Sequence, residues 1–271
     1  MLKRISYGLT DRGCVRESNQ DSFLIHEGQG LYVVADGMGG HAGGEVASGL
    51  AVKVIYDVYS QPEDPEATIA DFSAIYPAEH GQTFERLRYA INRASQAIQA
   101  EAVIRPSCRG MGTTVVMLSV EHNTAFIAHA GDSRAYLIRP DGLRRLTRDH
   151  TWIADQVRAG LITEEQAATS QYRNLLTRTV GIEARVNSDT TARRIEAGDR
   201  YLLCSDGLHG VVTDAEIFRL VLNHSPRLGV ERLIQLAKER GGPDNVTCVV
   251  VAFEEEDQRP RRRYLPYEPE I

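Results

Sequence analysis

The sequence predicts an α+β fold built on antiparallel strands. Three observations lead there: short apolar runs recur with only a few turn residues between them, segments with helical apolar spacing fill the intervals, and no alternating βαβ series appears. Strands joined by tight turns must pair antiparallel, which argues against a doubly wound parallel sheet.

Residues 22–27 and 31–35 flank Gly28-Gln29-Gly30 and read as a hairpin. Residues 113–120 and 124–130 flank Glu121-His122-Asn123 as a second, and 135–139 and 143–146 flank Pro140-Asp141-Gly142 as a third. Residues 201–205 and 246–253 complete the apolar set. Helices are predicted over 42–59 and 83–102, the latter with Leu87, Ile91, Ala94 and Ile98 at helical spacing. Thr213-Asp214-Ala215-Glu216 is a capping box opening a helix to about 223, and 229–240 makes another. Thr163-Glu164-Glu165-Gln166 opens a short helix in the same way. Residues 61–82, with three prolines, read as a surface excursion. From 254 to 271 the chain turns to EEED, RPRRR and YLPYEPEI, a solvated and poorly ordered tail after a domain over 1–253.

Composition narrows the function classes. The 271 residues carry 37 acidic and 31 basic side chains, a net charge of −6, which argues against a backbone-reading nucleic-acid binder. No apolar run approaches the roughly 20 residues that span a bilayer, and 1–10 lack the apolar stretch and cleavage site of a signal peptide. Cys14, Cys108, Cys204 and Cys248 show neither C-x-x-C pairing nor zinc-finger spacing, as expected of a reduced, cytoplasmic protein.

The chemistry is in where the aspartates fall. Residues 31–35 run into Asp36-Gly37, 201–205 into Asp206-Gly207, and 126–130 into Gly131-Asp132; Asp244-Asn245 precedes the last strand and Asp21 the first hairpin. One Asp-Gly at a strand end is an ordinary turn, the reading that suits Asp141-Gly142. Five carboxylates at the edges of one antiparallel core are different, because converging carboxylates repel unless a cation neutralises them. Oxygen donors without paired Cys or His favour Mg²⁺ or Mn²⁺ over Zn²⁺. Other chemistries lack their motifs: there is no Cys followed six positions on by Arg, no phosphate-binding G-x-x-x-x-G-K-[ST] loop, no H-E-x-x-H and no G-x-S-x-G. Gly37-Met38-Gly39-Gly40-His41-Ala42 fits a dinucleotide fingerprint, but Asp36 would stand beside the pyrophosphate and no βαβ series follows.

Six motifs in order, Arg16-x-x-Asn19-Gln20-Asp21, Val34-Ala35-Asp36-Gly37-Met38-Gly39-Gly40-His41, Gly112-Thr113-Thr114, Gly131-Asp132-Ser133-Arg134, Leu203-Cys204-Ser205-Asp206-Gly207-Leu208 and Asp244-Asn245-Val246-Thr247, resemble the metal-dependent protein phosphatases of the 2C type, in their compact bacterial branch. The resemblance implies an α-β-β-α sandwich of two packed antiparallel sheets, with two or three Mn²⁺ or Mg²⁺ ions in a cleft at one end. It implies Asp36 as the bridging ligand, Asp206 and Asp244 completing the first ion, and the Gly37 carbonyl and waters holding the second. Asp21 would orient water or bind directly, and Asp132 with Asp206 would hold a third ion. The implied activity is direct attack of metal-activated water on phosphoserine or phosphothreonine. Arg16 would clamp the phosphate, and His41 would either protonate the leaving alkoxide or serve as a structural helix-start histidine. His129 and His209 are expected to pack.

The segment 151–181 is the implied flap. It has Ser170-Gln171-Tyr172 where many bacterial members have His-Pro, followed by Arg173-Asn174-Leu175-Leu176-Thr177-Arg178. Gln20 stands where animal relatives carry a Glu ligand. Implied partners are phosphoproteins made by a cognate Ser/Thr kinase, with no nucleic acid, no membrane and a monomeric chain. The alternatives are a pseudophosphatase that binds phosphoproteins without turnover, or a metal-dependent hydrolase of other phosphoesters.

Overall fold

The computed structural model describes residues 2–40, 43–60, 78–168, 170–172, 174–183 and 185–255. Along the chain run β1 (Leu2–Asp11), β2 (Asp21–His26), β3 (Leu31–Met38), α1 (Gly43–Ser60), α2 (Ala78–Ile104), β4 (Gly112–Thr113), β5 (Val115–Glu121), β6 (Thr124–Ala130), β7 (Arg134–Arg139) and β8 (Gly142–Arg145). Then follow α3 (Trp152–Arg158), α4 (Glu164–Ala168), β9 (Asp189–Arg194), β10 (Arg200–Cys204), α5 (Asp206–His209), α6 (Asp214–Asn223), α7 (Pro226–Glu239) and β11 (Val246–Glu255).

The strands form two antiparallel sheets, one in the order β1-β11-β10-β7-β8 and one in the order β2-β3-β5-β6-β9, with β4 added on β3. All three expected hairpins are present, as β2–β3, β5–β6 and β7–β8. Period-two alternation splits the apolar strands between cores. In β3, Leu31, Val33 and Ala35 pack under α1 and α2 with Ala51, Ile55, Leu87 and Ile91. Its alternate residues Tyr32 and Val34 meet Leu203, Val249 and Val251 of the facing sheet. On that sheet's outer side Cys248 and Val250 lie under Ile217, Val221, Leu233 and Ile234 of α6 and α7. Helices therefore cover both sheets, which gives the α-β-β-α order. It also explains why 246–253 is apolar without alternation: both faces of β11 are buried.

Several elements depart from the sequence reading. β1 pairs with β11 over ten residues, from Leu2↔Glu255 to Asp11↔Val246. Its alternating Ile5, Tyr7 and Leu9 are only half-buried, a weak apolar signal. β9, Asp-Thr-Thr-Ala-Arg-Arg, is a polar edge strand and carries no apolar signal. α2 starts at Ala78, inside the expected excursion, whose residues 61–77 lie outside the described residues. β11 extends through Glu254 and Glu255, the first two residues assigned to the tail; 256–271 lie outside the described residues.

Candidate metal centre

The two sheets bring their acidic ends together. Asp21 and Asp36 are register partners across β2 and β3, so their side chains share a face. Asp206 opens α5 directly after β10, and Asp244 leads into β11. The seam is fastened by Asn245, whose Oδ1 accepts the Gln20 N–H at 2.7 Å and whose Nδ2 donates to the Arg12 and Ser18 carbonyls at 2.9 Å each. Two glycines let the backbones approach: a Cβ on Gly37 would collide with the Gly44 carbonyl, and one on Gly207 with the Asn245 carbonyl.

Asp21 is 7% exposed. Its Oδ2 accepts from Ser205 Oγ at 2.8 Å and Thr247 Oγ1 at 2.7 Å. With the Thr247 hydroxyl donating to a carboxylate, the Thr10 hydroxyl 2.6 Å away must donate to Thr247, and Asn19 Nδ2 donates to Thr10 at 2.8 Å. Asn19, Thr10 and Thr247 thus form a one-way chain ending on Asp21. The Gly112-Thr113-Thr114 motif fixes Asp36 through its backbone. The Asp36 N–H donates to Thr114 Oγ1 at 3.1 Å, and its carbonyl accepts from the Thr114 N–H and Thr113 hydroxyl, both at 2.8 Å. Thr114 Oγ1 in turn shares a 2.7 Å hydrogen bond with Ser133 beside Asp132.

These carboxylates crowd one another. Burial, then the charges of Asp21, Asp206 and Asp132, pushes Asp36 well above the usual carboxylate range. Burial raises Asp21 to about 7 against its two hydroxyl donors, with the Asp206 and Asp244 charges adding to the rise. Burial and the Asp206 charge likewise raise Asp132 to about 7, and burial and the Asp244 charge raise Asp206. Asp36 and Asp206 are half-buried despite the protein packed around them. Among the described residues, Asp21 Oδ1 and Asp206 Oδ1 are buried without a hydrogen-bond partner. Unpartnered carboxylate oxygens in an oxygen-only cluster suit a hard divalent cation.

Arg16 Nη2 donates to Asp244 Oδ2 at 2.7 Å from a side chain more than half exposed. The Gln20 amide reaches the Gly39 carbonyl at 3.4 Å. His41 lies outside the described residues. The cleft beside the acids, about 790 Å³, is lined by Asp132, Asp206 and Asp244 together with Ile153, Val157, Glu164 and Asn174 of the expected flap. His209 donates from Nε2 to the Asp132 carbonyl at 3.0 Å; burial pushes its pKa down to about 3, so the neutral ring props the Asp132 loop.

Sequence reasoning missed a second polar cluster. His129, His150 and Asp189 lie close enough to share an ion, but Arg178 already donates to Asp189 and stands 3.1 Å from His150 Nε2. The Gly131 N–H donates to His150 Nδ1 at 3.2 Å, which leaves Nε2–H facing Asp189. His129 stacks on His150 with ring centroids 4.5 Å apart. His150 has no local motif to mark it, and it bridges the Asp132 loop to the flap through Thr177 N–H on its carbonyl.

Comparison with known proteins places this geometry. The family model described as Protein phosphatase 2C matches residues 15–239. The serine/threonine protein phosphatase PstP of Mycobacterium tuberculosis is 39% identical over 242 residues, covering 89% of this chain and 43% of that protein. The chain thus spans less than half the length of that relative. The serine/threonine phosphatase stp of Listeria innocua is 35% identical over 248 residues, covering 89% of this chain and 93% of its own. A crystal structure of the catalytic domain of PstP with two manganese ions superposes with a TM-score of 0.78 at 36% identity, covering 94% of this chain and all of that one.

Proposed function

This chain belongs to the protein phosphatase 2C family, and on that premise we propose that it hydrolyses phosphoserine and phosphothreonine in phosphoproteins, using two divalent ions, Mn²⁺ or Mg²⁺, and residues 1–253 as its catalytic domain. The observation that carries this reading is that carboxylates from the ends of both sheets act on one another, with the buried oxygens Asp21 Oδ1 and Asp206 Oδ1 left unpartnered among the described residues.

Asp36, Asp206 and Asp244 would hold one ion, and Asp36 with the Gly37 carbonyl the other; Asp132 with Asp206 would hold a third. Ions bound there supply an acidified water as nucleophile and neutralise charge on the phosphoryl oxygens. Ser205 and Thr247 fix Asp21 Oδ2, so Oδ1 is left to accept a proton-bearing contact from the attacking water. Arg16 is exposed enough to leave Asp244 and present its guanidinium fork to two phosphate oxygens. His41 is assigned, from its place in the sequence, as the acid that protonates the leaving alkoxide.

Substrates are products of a Ser/Thr kinase, and the chain acts as a monomer. Among the described residues no helix is long and apolar enough to cross a membrane. All four cysteines are free, which supports a reducing, cytoplasmic setting.

The test is hydrolysis of an aryl phosphate and a phosphothreonine peptide, with Mn²⁺ and with chelator, by the wild type and Asp36→Asn. Turnover is expected only with metal and at least about a thousandfold lower in the variant. Metal-independent turnover, or full activity of Asp36→Asn, would overturn the mechanism. Phosphopeptide binding without turnover under any metal would make the chain a pseudophosphatase.

A further inference from the structure

A second cavity, about 480 Å³, opens on the flank of the sandwich where edge strand β9 and the chain following β8 face each other. Its lining includes Arg88, Arg145, Arg148 and Arg193, and its single acidic lining residue, Asp189, is already matched by Arg178. In a chain of net charge −6 this is a local inversion of sign. Arg148 and Arg193 form no ion pair among the described residues, and Arg145 reaches a carboxylate, Asp149, only at 3.5 Å. Ser188, also in the lining, is 4% exposed, and its hydroxyl has no hydrogen-bond partner among the described residues. The guanidinium groups of Arg148 and Arg193, which have no carboxylate partner among the described residues, and the unsatisfied Ser188 hydroxyl match the donor set that an oxyanion requires.

The position of this cavity adds a second argument. Arg145 and Arg148 line both it and the cleft that contains Asp132, Asp206 and Asp244. The two spaces therefore adjoin at Arg145 and Arg148. We propose that the flank cavity is a subsite for acidic side chains of the phosphoprotein substrate, a few residues from the phosphorylated one. This rests on the phosphatase reading above and deepens it by naming a substrate class: acidic phosphopeptides.

The experiment compares kcat/KM for a phosphothreonine peptide flanked by glutamates with the same peptide carrying glutamines, using the Mn²⁺-loaded full chain. The wild type, Arg148→Ala/Arg193→Ala and, as a control on the opposite helical layer, Arg232→Ala are measured, with far-ultraviolet circular dichroism reporting that each protein is folded, since Arg148 also borders the catalytic cleft. The wild type and the control are expected to favour the acidic peptide by roughly three- to tenfold, with the ratio falling toward one in the double variant and shrinking at high salt in the wild type. Equal turnover of both peptides by the wild type, or a preference that survives in the double variant, overturns the subsite while leaving the phosphatase reading intact. Absence of turnover on every substrate overturns both. If sulfate alters turnover of the neutral peptide in the wild type and not in the double variant, the cavity seats a free anion, and the substrate assignment falls.

Discussion

Asp21 is held by one oxygen and left open at the other, an asymmetry imposed by hydroxyls from the facing sheet. Thr247 is the pivotal donor, because the chain from Asn19 through Thr10 passes through it. Thr247→Val keeps the shape of a buried strand residue and removes that donor. Turnover of the Mn²⁺-loaded protein is expected to fall about 10–100-fold, as when an outer partner at a metal site is lost, and unchanged turnover would show that the chain does not orient Asp21. This also marks what was legible in the sequence at this scale. The aspartates stood out because a charge at the end of an apolar run conflicts with its surroundings. Thr114, Ser205 and Thr247 lay inside the matching motifs but carried no role there, because a hydroxyl beside a strand is ordinary, and its meaning appears only once strands distant in sequence are paired.

Among elements, the segment from β7 to α3 depends on one ion pair. Arg134 forks onto Asp149 at 3.0 and 2.7 Å, with both side chains mostly buried. Burial alone would raise the Asp149 pKa, yet Arg134 holds it below the usual carboxylate range. Asp149→Ala leaves a buried guanidinium uncompensated and is expected to cost about 3 kcal/mol in urea unfolding; a loss below about 1 kcal/mol would mean that water reaches Arg134 freely. The sequence showed the Gly131-Asp132-Ser133-Arg134 motif but not this partner, since Asp149 follows a polar stretch without a pattern of its own. Elements with a strong period, such as α2, β3 and the capped α6, were legible. β1 and β9 were not, because an edge or half-buried strand owes its existence to its neighbour rather than to its own composition.

At the scale of the whole molecule, the acidic cluster sets a pH dependence opposite to the common one. Asp21 and Asp132 titrate near 7 when folded, and Asp36 and Asp206 are also raised. Metal-free folded protein therefore keeps protons that the unfolded chain has released, so stability falls as pH rises through that window. Buried His129, His150 and His209, whose pKa values are lowered, act with the opposite sign, but only below the ordinary histidine value near 6.5. The acids thus dominate between pH 6.5 and 8.5. The melting temperature of the chelated protein is expected to drop by several degrees across that interval, and Mn²⁺ to remove the drop. Asp36→Asn should melt higher than the wild type at pH 8.5 without metal. A flat metal-free profile would mean that the carboxylates do not converge in solution.

The ten-residue pairing of β1 with β11 has a consequence for how the protein is made. Thr247 reaches Asp21 across 226 positions of sequence, and Asn245 reaches Gln20 across 225. During synthesis, the first half of the carboxylate set leaves the ribosome long before the second, and β1 waits unpaired for a strand not yet translated. Such long-range closure is slow relative to hairpin formation. The proposed metal centre is consequently incomplete until β11 docks, so its assembly coincides with completion of the domain itself.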